Sequence, residues 1–394
     1  MIFLLVFLIF SSCFGAQLTP MKIAVVSGYG SLDPQMQTQL QRSLNWIQNS
    51  FLISKSVHPV EIQDILREIP EYHKFSSVLV QTPLHRQNMK FRDLKKLLDI
   101  ADFTVFIKAQ NPKRCQQNPD LLAEALPIVL VPDERPPLAT MSICLQNNPR
   151  HQNPFLDSTF YYDLFRHEIL HGLGYGLIVD KSFTTVKGSE NFTWHGANGF
   201  GHLEKRHYLD FDSIGLTEAK KYFGCETMKG LEADGERKNH LNEYIFGNEL
   251  MTTHLEASEN IFSWISVGII ERTYNGKEQW YHINRTFIAP EADSYSNGKN
   301  FGCDFLEKSC HEFIKITEKR KPDSIIAPFC SKNHEGKCFK HPHSSKIHKL
   351  QNQECHMRRV IRGTDNGRQQ RHCPIIKHFP SRAQFVQCPP PPGG

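Results

Sequence analysis

Two histidines four residues apart, His167 and His171, constrain this chain more than any other feature. Glu168 follows the first of them, and Gly172 and Gly174 follow the second. Side chains at this spacing lie on one face of a helix, one turn apart. Two neutral imidazoles so placed reach a single Zn²⁺, and a glutamate after the first can orient and deprotonate a water beside the metal. The stretch predicts a helix with two zinc ligands and a general base.

The residues around the motif distinguish this helix from a surface helix that merely exposes two histidines to solvent. Asp157 or Ser158 is placed to cap the helix start, and the two glycines provide a stop signal. The apolar positions of a core-facing helix are occupied by Tyr161, Leu164, Phe165 and Ile169. We therefore expect a buried helix over residues 158–172, with the motif at its C-terminal end, where the next turn can bring in a third ligand.

The N-terminal residues predict export from the cell. Residues 2–10 are uniformly apolar and small residues follow up to Ala16, which is the pattern of a signal peptide over residues 1–16, although no basic residue precedes the apolar run. The alternative is a short N-terminal anchor, but the run is short for a membrane span. Glycosylation sequons at Asn191 and Asn284 agree with a secreted, extracellular protein.

Cysteine usage and charge further bound the class of protein. Removal of Cys13 with the signal peptide leaves ten of the 11 cysteines, an even number that favours five disulfides in a secreted chain. The formal net charge of +5 is mild and no nucleic-acid-binding motif is present, so no nucleic-acid partner is expected. We predict neither a transmembrane segment nor a lipid-anchor signal in the mature chain.

Strands and helices alternate in the first part of the chain, which predicts a mixed α/β domain with a twisted sheet over residues 17–176. Asp33 and Pro34 provide the N-cap and first residue of a helix. The core-facing side of that helix carries Met36, Leu40, Leu44, Ile47 and Phe51. Strands are predicted over residues 22–27, 77–82, 103–109 and 126–132, and a short helix over 60–69. The overall fold class is α+β.

The rest of the chain is predicted to form a central domain and a C-terminal module. Residues 177–300 form the central domain, which begins with a polar, irregular insertion up to about residue 239 and has helices at 217–223 and 258–272. Seven of the ten remaining cysteines lie beyond residue 300, so residues 301–394 are expected to form a small disulfide-stapled module with a disordered end. Its basic, histidine-rich stretch is either a solvated tail or a binder of acidic surfaces or metal.

A third metal ligand must come from downstream of the helix, because a catalytic zinc usually takes three protein ligands. The compact H-E-x-x-H-x-x-G-x-x-H spacing places a histidine at position 177, which here is Leu177. The remaining candidates are His195, His202, His207, His240, His254, Glu190, Glu204 and Glu243. His240 is followed eleven residues later by Met251, and a methionine turn after the third histidine is a hallmark of one protease class.

These pieces together resemble the leishmanolysin family, the metzincin proteases in which a long insertion separates the motif glycine from the third histidine. The matching stretches are HEILHGLG at 167–174, YFGCETMKGLE at 222–232, NH at 239–240 with ELMT at 249–252, and FGCDFLEKSC at 301–310. The resemblance implies a metzincin-like fold and a secreted zinc endopeptidase that cleaves proteins or peptides. It also implies one zinc bound by His167, His171 and His240, Glu168 as the general base, and Met251 in the turn.

The resemblance also implies a set of disulfides and exposes three departures. The implied pairs are Cys115–Cys144, Cys225–Cys303, Cys310–Cys373, Cys330–Cys355 and Cys338–Cys388. No cysteine lies between positions 13 and 115, so latency through a pro-segment cysteine is not expected. The region after Cys310 is shorter than in longer members of the family. Gly172 stands where alanine is common, and glycine weakens a helix by up to about 1 kcal/mol.

Two other interpretations remain open from the sequence. A different zinc protease would take Glu190, Glu204 or Glu243 as its third ligand instead of His240. A secreted binding protein on a degenerate, inactive protease fold is the second, motivated by the missing pro-segment and the short C-terminal region. Intact ligands, base and methionine favour the enzyme.

Overall fold

The structure is a computed structural model, and it describes residues 18–28, 32–54, 59–131, 134–147, 159–176, 186–195, 199–209, 213–255, 260–271, 273–274, 278–320, 353–356 and 375–378. The predicted signal peptide and the helix caps Asp157 and Ser158 lie outside these residues. So does at least one cysteine of each of the pairs Cys310–Cys373, Cys330–Cys355 and Cys338–Cys388. These expectations therefore stay predictions.

A six-stranded mixed sheet organises the N-terminal part, in the order β5-β4-β2-β6-β8-β7. The strands of this part are β1 Thr19–Pro20, β2 Ile23–Ser27, β3 Phe51–Ile53, β4 Ser77–Gln81, β5 Arg86–Lys90, β6 Phe103–Ala109, β7 Ala123–Ile128 and β8 Leu138–Ile143. Strands β2, β6 and β8 are parallel, whereas β4, β5 and β7 run antiparallel to their neighbours. Strand β7 therefore forms one edge of this sheet.

Helices cover both faces of the sheet. They are α1 Pro34–Ser50, α2 Ile62–Glu68, α3 Lys95–Leu98, α4 Pro112–Gln117 and α5 Thr159–Gly172. As predicted, Asp33 caps α1, because its carboxylate accepts hydrogen bonds from the backbone N–H groups of Gln35 and Met36, both at 2.9 Å. Apolar side chains alternate along the strands, so one face packs against α1 and α5 and the other against α2 and α3.

The remaining elements follow helix α5, which carries the histidine motif. Their helices are α6 Ser213–Phe223, α7 Glu243–Phe246, α8 Trp264–Ile270, α9 Arg285–Ala292, α10 Cys303–Glu307 and α11 Cys310–Arg320. Their strands are β9 Val186–His195, β10 Gly201–Leu209, β11 Ala233–Asp234, β12 His240–Leu241, β13 Thr273–Tyr274, β14 Glu278–Gln279, β15 His282–Ile283, β16 Gln353–His356 and β17 Ile375–His378.

Several sequence-based expectations differ from the structure in this fold. The strand predicted at 126–132 is instead β7, three residues earlier, and β5 and β8 were not predicted. The prediction of an irregular insertion is wrong for β9 and β10, which form a long antiparallel hairpin. Along β9, Phe192 and Trp194 are buried, whereas Asn191 and Thr193 are exposed. Polar and apolar residues therefore alternate because one face of the hairpin is buried and the other faces solvent.

One buried apolar core joins the two parts of the molecule. It contains residues from Met21 to Phe313, including side chains of α1, α5, α8 and α10. Strand β3 pairs with both β1 and β15, which also ties the two parts together. The α+β class is thus confirmed, whereas the domain boundaries at 176 and 300 stay a prediction.

Two disulfides join described cysteines, and both are pairs that the resemblance implies. Cys115–Cys144 links α4 to the residue after β8, and Cys225–Cys303 links the end of α6 to the start of α10. Among the described helices, none is both long enough and apolar enough to cross a membrane.

Candidate metal centre

Helix α5 buries the whole histidine motif. His167, Glu168 and His171 are only 5%, 4% and 3% exposed, because the helix is packed between the sheet and the part of the chain that follows it. Burial of three ionisable side chains on one turn is costly unless they have partners. Each must therefore be accounted for by a contact.

The end of α5 orients the second histidine. Gly174 has a positive φ of 102°, and its N–H donates to the carbonyl of His171 at 2.9 Å. The N–H of Tyr175 donates to the carbonyl of Leu170 at 3.0 Å, which completes a Schellman motif. The chain reversal brings the carbonyl oxygen of Tyr175 to 3.0 Å from Nδ1 of His171. The predicted glycine stop signal, Gly174, therefore ends the helix and also orients the imidazole ring of His171.

His240 reaches the same place from strand β12. Its Nε2 lies 3.0 Å from Nε2 of His171 and 3.2 Å from Nε2 of His167, and the latter two atoms are 3.1 Å apart. Strand β12 is positioned by pairing with β11 and by the N–H of Leu241, which donates to the carbonyl of Met251 at 2.9 Å. We call these three residues the histidine trio.

Hydrogen bonding assigns the protons on two of the rings. Nδ1 of His167 is 2.7 Å from the carbonyl oxygen of Leu250, and Nδ1 of His171 contacts that of Tyr175. A carbonyl oxygen only accepts, so both Nδ1 atoms carry hydrogen and both Nε2 atoms direct lone pairs inward. Lone pairs this close repel one another unless a cation lies between them. The trio can therefore hold a metal ion.

The dimensions and protonation of the trio fit an ion such as zinc. Tetrahedral ligands at the usual Zn–N distance are separated by about 3.3 Å, close to the observed spacing. Burial lowers the pKa of His167 to about 4. It lowers the pKa of His171 to about 3, with smaller contributions from the nearby His167 and Arg237. Burial also holds the pKa of His240 well below its usual value. Neutral rings are the form that binds metal.

A turn beneath the first and third histidines connects them. The carbonyl of Leu250 accepts from the ring of His167, and that of the next residue, Met251, accepts from the strand that carries His240. Met251 itself is fully buried. The turn thus contacts two members of the trio through adjacent backbone carbonyls.

Glu249 anchors this turn from inside the core. Its side chain is fully buried, and one carboxylate oxygen accepts from the N–H of Met251 at 2.5 Å. The other accepts from the N–H and hydroxyl of Ser263, at 3.2 and 3.0 Å, at the start of α8. Burial raises the pKa of Glu249 to about 7 despite these bonds. No role was predicted for this glutamate, although it lies two residues before Met251 in the ELMT stretch.

Glu168 has one carboxylate oxygen without a partner among the described residues. That atom, Oε2, is buried, whereas the carboxylate also receives a hydrogen bond from the N–H of Ala125 on β7. The pKa of Glu168 is raised to about 8, mainly by burial and to a smaller extent by the charge of Glu124, although the Ala125 bond acts to lower it. A cation at the trio favours the ionised carboxylate. An orphaned oxygen next to a metal-binding group is suited to accept a proton from water.

The other candidate third ligands lie elsewhere. His195, His202 and His207 are on the β9–β10 hairpin, where His195 contacts Glu312 at 3.0 Å and His202 stacks on Trp194. Glu204 is exposed on β10. Within the described part of the chain, none of these residues joins a metal-binding group with His167 and His171.

The three remaining candidates, two glutamates and one histidine, contact partners of their own. Glu190 binds Arg206 at 2.5 Å and Lys229 at 2.6 Å. Glu243 pairs with His254 at 2.8 Å. Because each carboxylate already has an arginine, lysine or histidine partner, the structure gives no support to a glutamate as third ligand.

A cavity of about 310 Å³ lies away from the trio. It is bordered by the β9–β10 hairpin, residues 228–232 and helix α10, and contains none of the three histidines. Asn191, one of the two sequon residues, is exposed at its border. Asn284, the other, caps helix α9 and donates to the carbonyl of Asn49 at 3.1 Å.

A trio of imidazoles lies beside an orphaned carboxylate on an α+β fold, and two of the imidazoles and the carboxylate come from a buried H-E-x-x-H helix. This arrangement defines a candidate metal-dependent hydrolase. The leishmanolysin family model matches residues 97–370, which is more than two thirds of the chain. The chain therefore belongs to the leishmanolysin family, and the resemblance read from the sequence is confirmed.

Individual relatives agree with this assignment at modest identity. Leishmanolysin-like peptidases of Caenorhabditis briggsae and Caenorhabditis elegans are each 27% identical over 275 residues, covering 60% of this chain and 39% of the relative. The leishmanolysin-like peptidase of Drosophila melanogaster is 23% identical over 277 residues, covering 60% of this chain and 37% of the relative. The chain thus spans about two fifths of the length of these relatives.

Proposed function

We propose that this protein is a zinc-dependent endopeptidase that hydrolyses peptide bonds with Glu168 as the general base. The observation that carries the proposal is the convergence of three Nε2 atoms within 3.2 Å of one another, beside a buried carboxylate oxygen that has no partner in the described residues. Membership of a peptidase family supports the same conclusion. His167, His171 and His240 would hold the ion.

Each protein group has a distinct part in the reaction. Zinc, when bound, polarises the scissile carbonyl and lowers the pKa of water toward neutrality. Glu168 takes the proton of the attacking water at its unpartnered Oε2 and passes it to the leaving amine. The N–H of Ala125 holds the carboxylate in place. The Leu250 carbonyl keeps the ring of His167 in its orientation, and the carbonyl of Met251 holds the strand that carries His240.

The edge of the sheet is a suitable place for an extended substrate. Strand β7 lies at that edge. The N–H of Ala125 donates to Glu168, so the backbone groups of Ala125 point away from the neighbouring strand β8. The backbone groups of every second residue of the strand point the same way, which here means Ala123, Ala125 and Pro127. Proline lacks an N–H and is therefore tolerated on an edge strand. A peptide lying between β7 and strand β12 would be adjacent to Glu168.

Export to the extracellular space belongs to the same proposal. The two disulfides described are of a kind that forms and persists in oxidising compartments. The apolar N-terminal stretch and the sequons support it as well.

The test is zinc content and peptide cleavage by the full chain expressed in a secretory system. We expect about one zinc per chain and cleavage of a mixed peptide pool that a chelator abolishes. The Glu168→Ala variant should keep the metal and lose turnover. Zinc binding by the wild type without any cleavage would favour the alternative of an inactive binding protein, and absence of bound zinc would refute the proposal.

A further inference from the structure

A cationic side chain stands at the rim of the candidate centre. Arg237 lies three residues before His240, in the turn that joins β11 to β12, and its side chain is 46% exposed. The same turn lies against the trio, because a Cβ added to its Gly235 would be 3.0 Å from Nδ1 of His240.

Arg237 shares its anionic partner with another arginine. Its Nη2 lies 3.6 Å from Oε2 of Glu124, beyond normal hydrogen-bond distance. The same oxygen is only 3.0 Å from Nη2 of Arg114, and Gln110 donates to the other oxygen at 2.7 Å. One carboxylate thus serves two guanidinium groups, and it is closer to Arg114. Arg237 therefore retains positive charge and hydrogen-bond donors that a second carboxylate could use.

The position of Glu124 shows that Arg237 lies across the edge of the sheet. Ala123 and Ala125 pack toward helix α5, whereas Ile128 packs on the opposite face, so alternation places Glu124 on that opposite face. The segments flanking the turn of Arg237 pack into the core on the α5 side. Its side chain therefore passes the outer edge of β7, beside the residue whose N–H contacts Glu168.

We propose that Arg237 is a specificity-determining residue that binds a carboxylate of the substrate next to the scissile bond. This inference rests on the proposed peptidase function and names the substrate class for it: peptides with an acidic residue near the cleaved bond. A peptide along β7 meets the guanidinium directly. The carboxylate of the peptide then replaces that of Glu124 as the partner of Arg237. Glu124 stays paired with Arg114, so neither carboxylate is left without a cationic partner.

The test compares matched peptides with matched variants. The peptides carry Glu or its neutral isostere Gln at each of three positions on either side of a cleaved bond, and are amidated at the C-terminus. A second set has Gln throughout and a free C-terminal carboxylate, which separates a side-chain carboxylate from a terminal one. The variants are Arg237→Gln and Lys238→Gln, which remove one positive charge each from the same turn.

We expect the wild type to prefer Glu over Gln at one position by about tenfold in kcat/KM, equivalent to about 1.4 kcal/mol. Arg237→Gln should lose this preference and Lys238→Gln should keep it. Glu124→Gln should strengthen it, because Arg237 then loses its internal partner. Equal effects of the two turn variants, or no acidic preference in the wild type, would overturn the proposal. A preference confined to the free C-terminal carboxylate would overturn the side-chain assignment.

A binding measurement keeps this test independent of turnover. Fluorescence anisotropy with the Glu168→Ala protein reports the affinity for the Glu and Gln peptides directly. If the wild type cleaves nothing, the peptidase proposal fails, yet a Glu preference in binding that Arg237→Gln abolishes would still support the carboxylate site. If cleavage occurs without discrimination by Arg237, only the present inference fails.

Discussion

At the scale of single residues, the roles of the trio depend on atoms that a sequence does not display. The spacing of His167 and His171 predicted their shared helix face, but their ring orientations come from the carbonyls of Leu250 and Tyr175. Any residue type supplies a backbone carbonyl, so no sequence pattern identifies these partners. Ring orientation is therefore sensitive to changes in segments far from the helix.

Removal of His240 should abolish metal binding. In His240→Ala we expect the zinc content of the purified protein to fall from about one per chain to near zero, because two imidazoles alone leave the ion with too few protein ligands. His254→Ala is the matched control, since His254 is exposed and pairs with Glu243 outside the trio. Metal analysis by mass spectrometry decides, and retention of zinc in His240→Ala would show that another residue completes the site.

Gly176 is predicted to be irreplaceable for a steric reason. Its φ is +63°, and a Cβ there would lie 2.2 Å from the backbone oxygen of Asn239, the residue before His240. Gly176→Ala should therefore displace His240 and weaken zinc binding, in addition to about 1–2 kcal/mol of backbone strain. Gly199→Ala provides the control, because Gly199 has a φ of +82° and an added Cβ would have no atom of the described residues within 4 Å. Urea unfolding and zinc titration of both variants should separate strain from displacement.

At the scale of elements, the turn of residues 249–252 and helix α8 act as one unit through Glu249. Replacing it with Gln puts an amide NH₂ against N–H donors of Met251 or Ser263, so at least one buried hydrogen bond is lost. We expect Glu249→Gln to reduce the free energy of unfolding by about 2 kcal/mol and zinc affinity by about tenfold. Glu243→Gln, in the short helix α7, should change zinc affinity little. Chelator competition measures this difference.

The same glutamate predicts a pH dependence of stability. Its folded-state pKa of about 7 lies above the ordinary value of 4.5, so the folded protein binds more protons than the unfolded chain between these values. Stability from this group therefore falls as pH rises from 4.5 to about 7, by up to about 3 kcal/mol. The buried histidines change the stability in the opposite direction over this range. Wild type and Glu249→Gln both contain them, so their contribution cancels when the two proteins are compared. The stability difference between metal-free wild type and Glu249→Gln should shrink over this range, and a constant difference would contradict the prediction.

At the scale of the whole molecule, the long disulfide encloses the third member of the trio. Cys225–Cys303 spans 78 residues that include His240, and loop entropy alone gives it about 4 kcal/mol of stability. Replacing both cysteines with serine should lower the unfolding midpoint and weaken zinc binding. The same replacement at Cys115 and Cys144, whose loop spans 29 residues and contains no member of the trio, should lower stability with less effect on zinc. Equal zinc losses would contradict this division.

The sequence predicted the parts of the fold that have strong local signals. Helix α1 was predictable from Asp33 and Pro34, and helix α5 from its apolar face and terminal glycines. The β9–β10 hairpin was not, because its strands are mostly exposed and carry polar residues at positions that a loop would also use. Arg237 and Glu124 are 113 positions apart, and only the folded edge of the sheet brings them together.

The two described disulfides divide the chain unevenly around the trio. Cys115–Cys144 lies wholly before His171, and Cys225–Cys303 wholly after it. A single proteolytic nick between His171 and Cys225 would therefore leave two polypeptides that neither bond connects, with two of the histidines on one and His240 on the other. In such a two-chain form the two polypeptides would stay together through the common core and a shared ion. The metal ion would then act as a non-covalent cross-link between them.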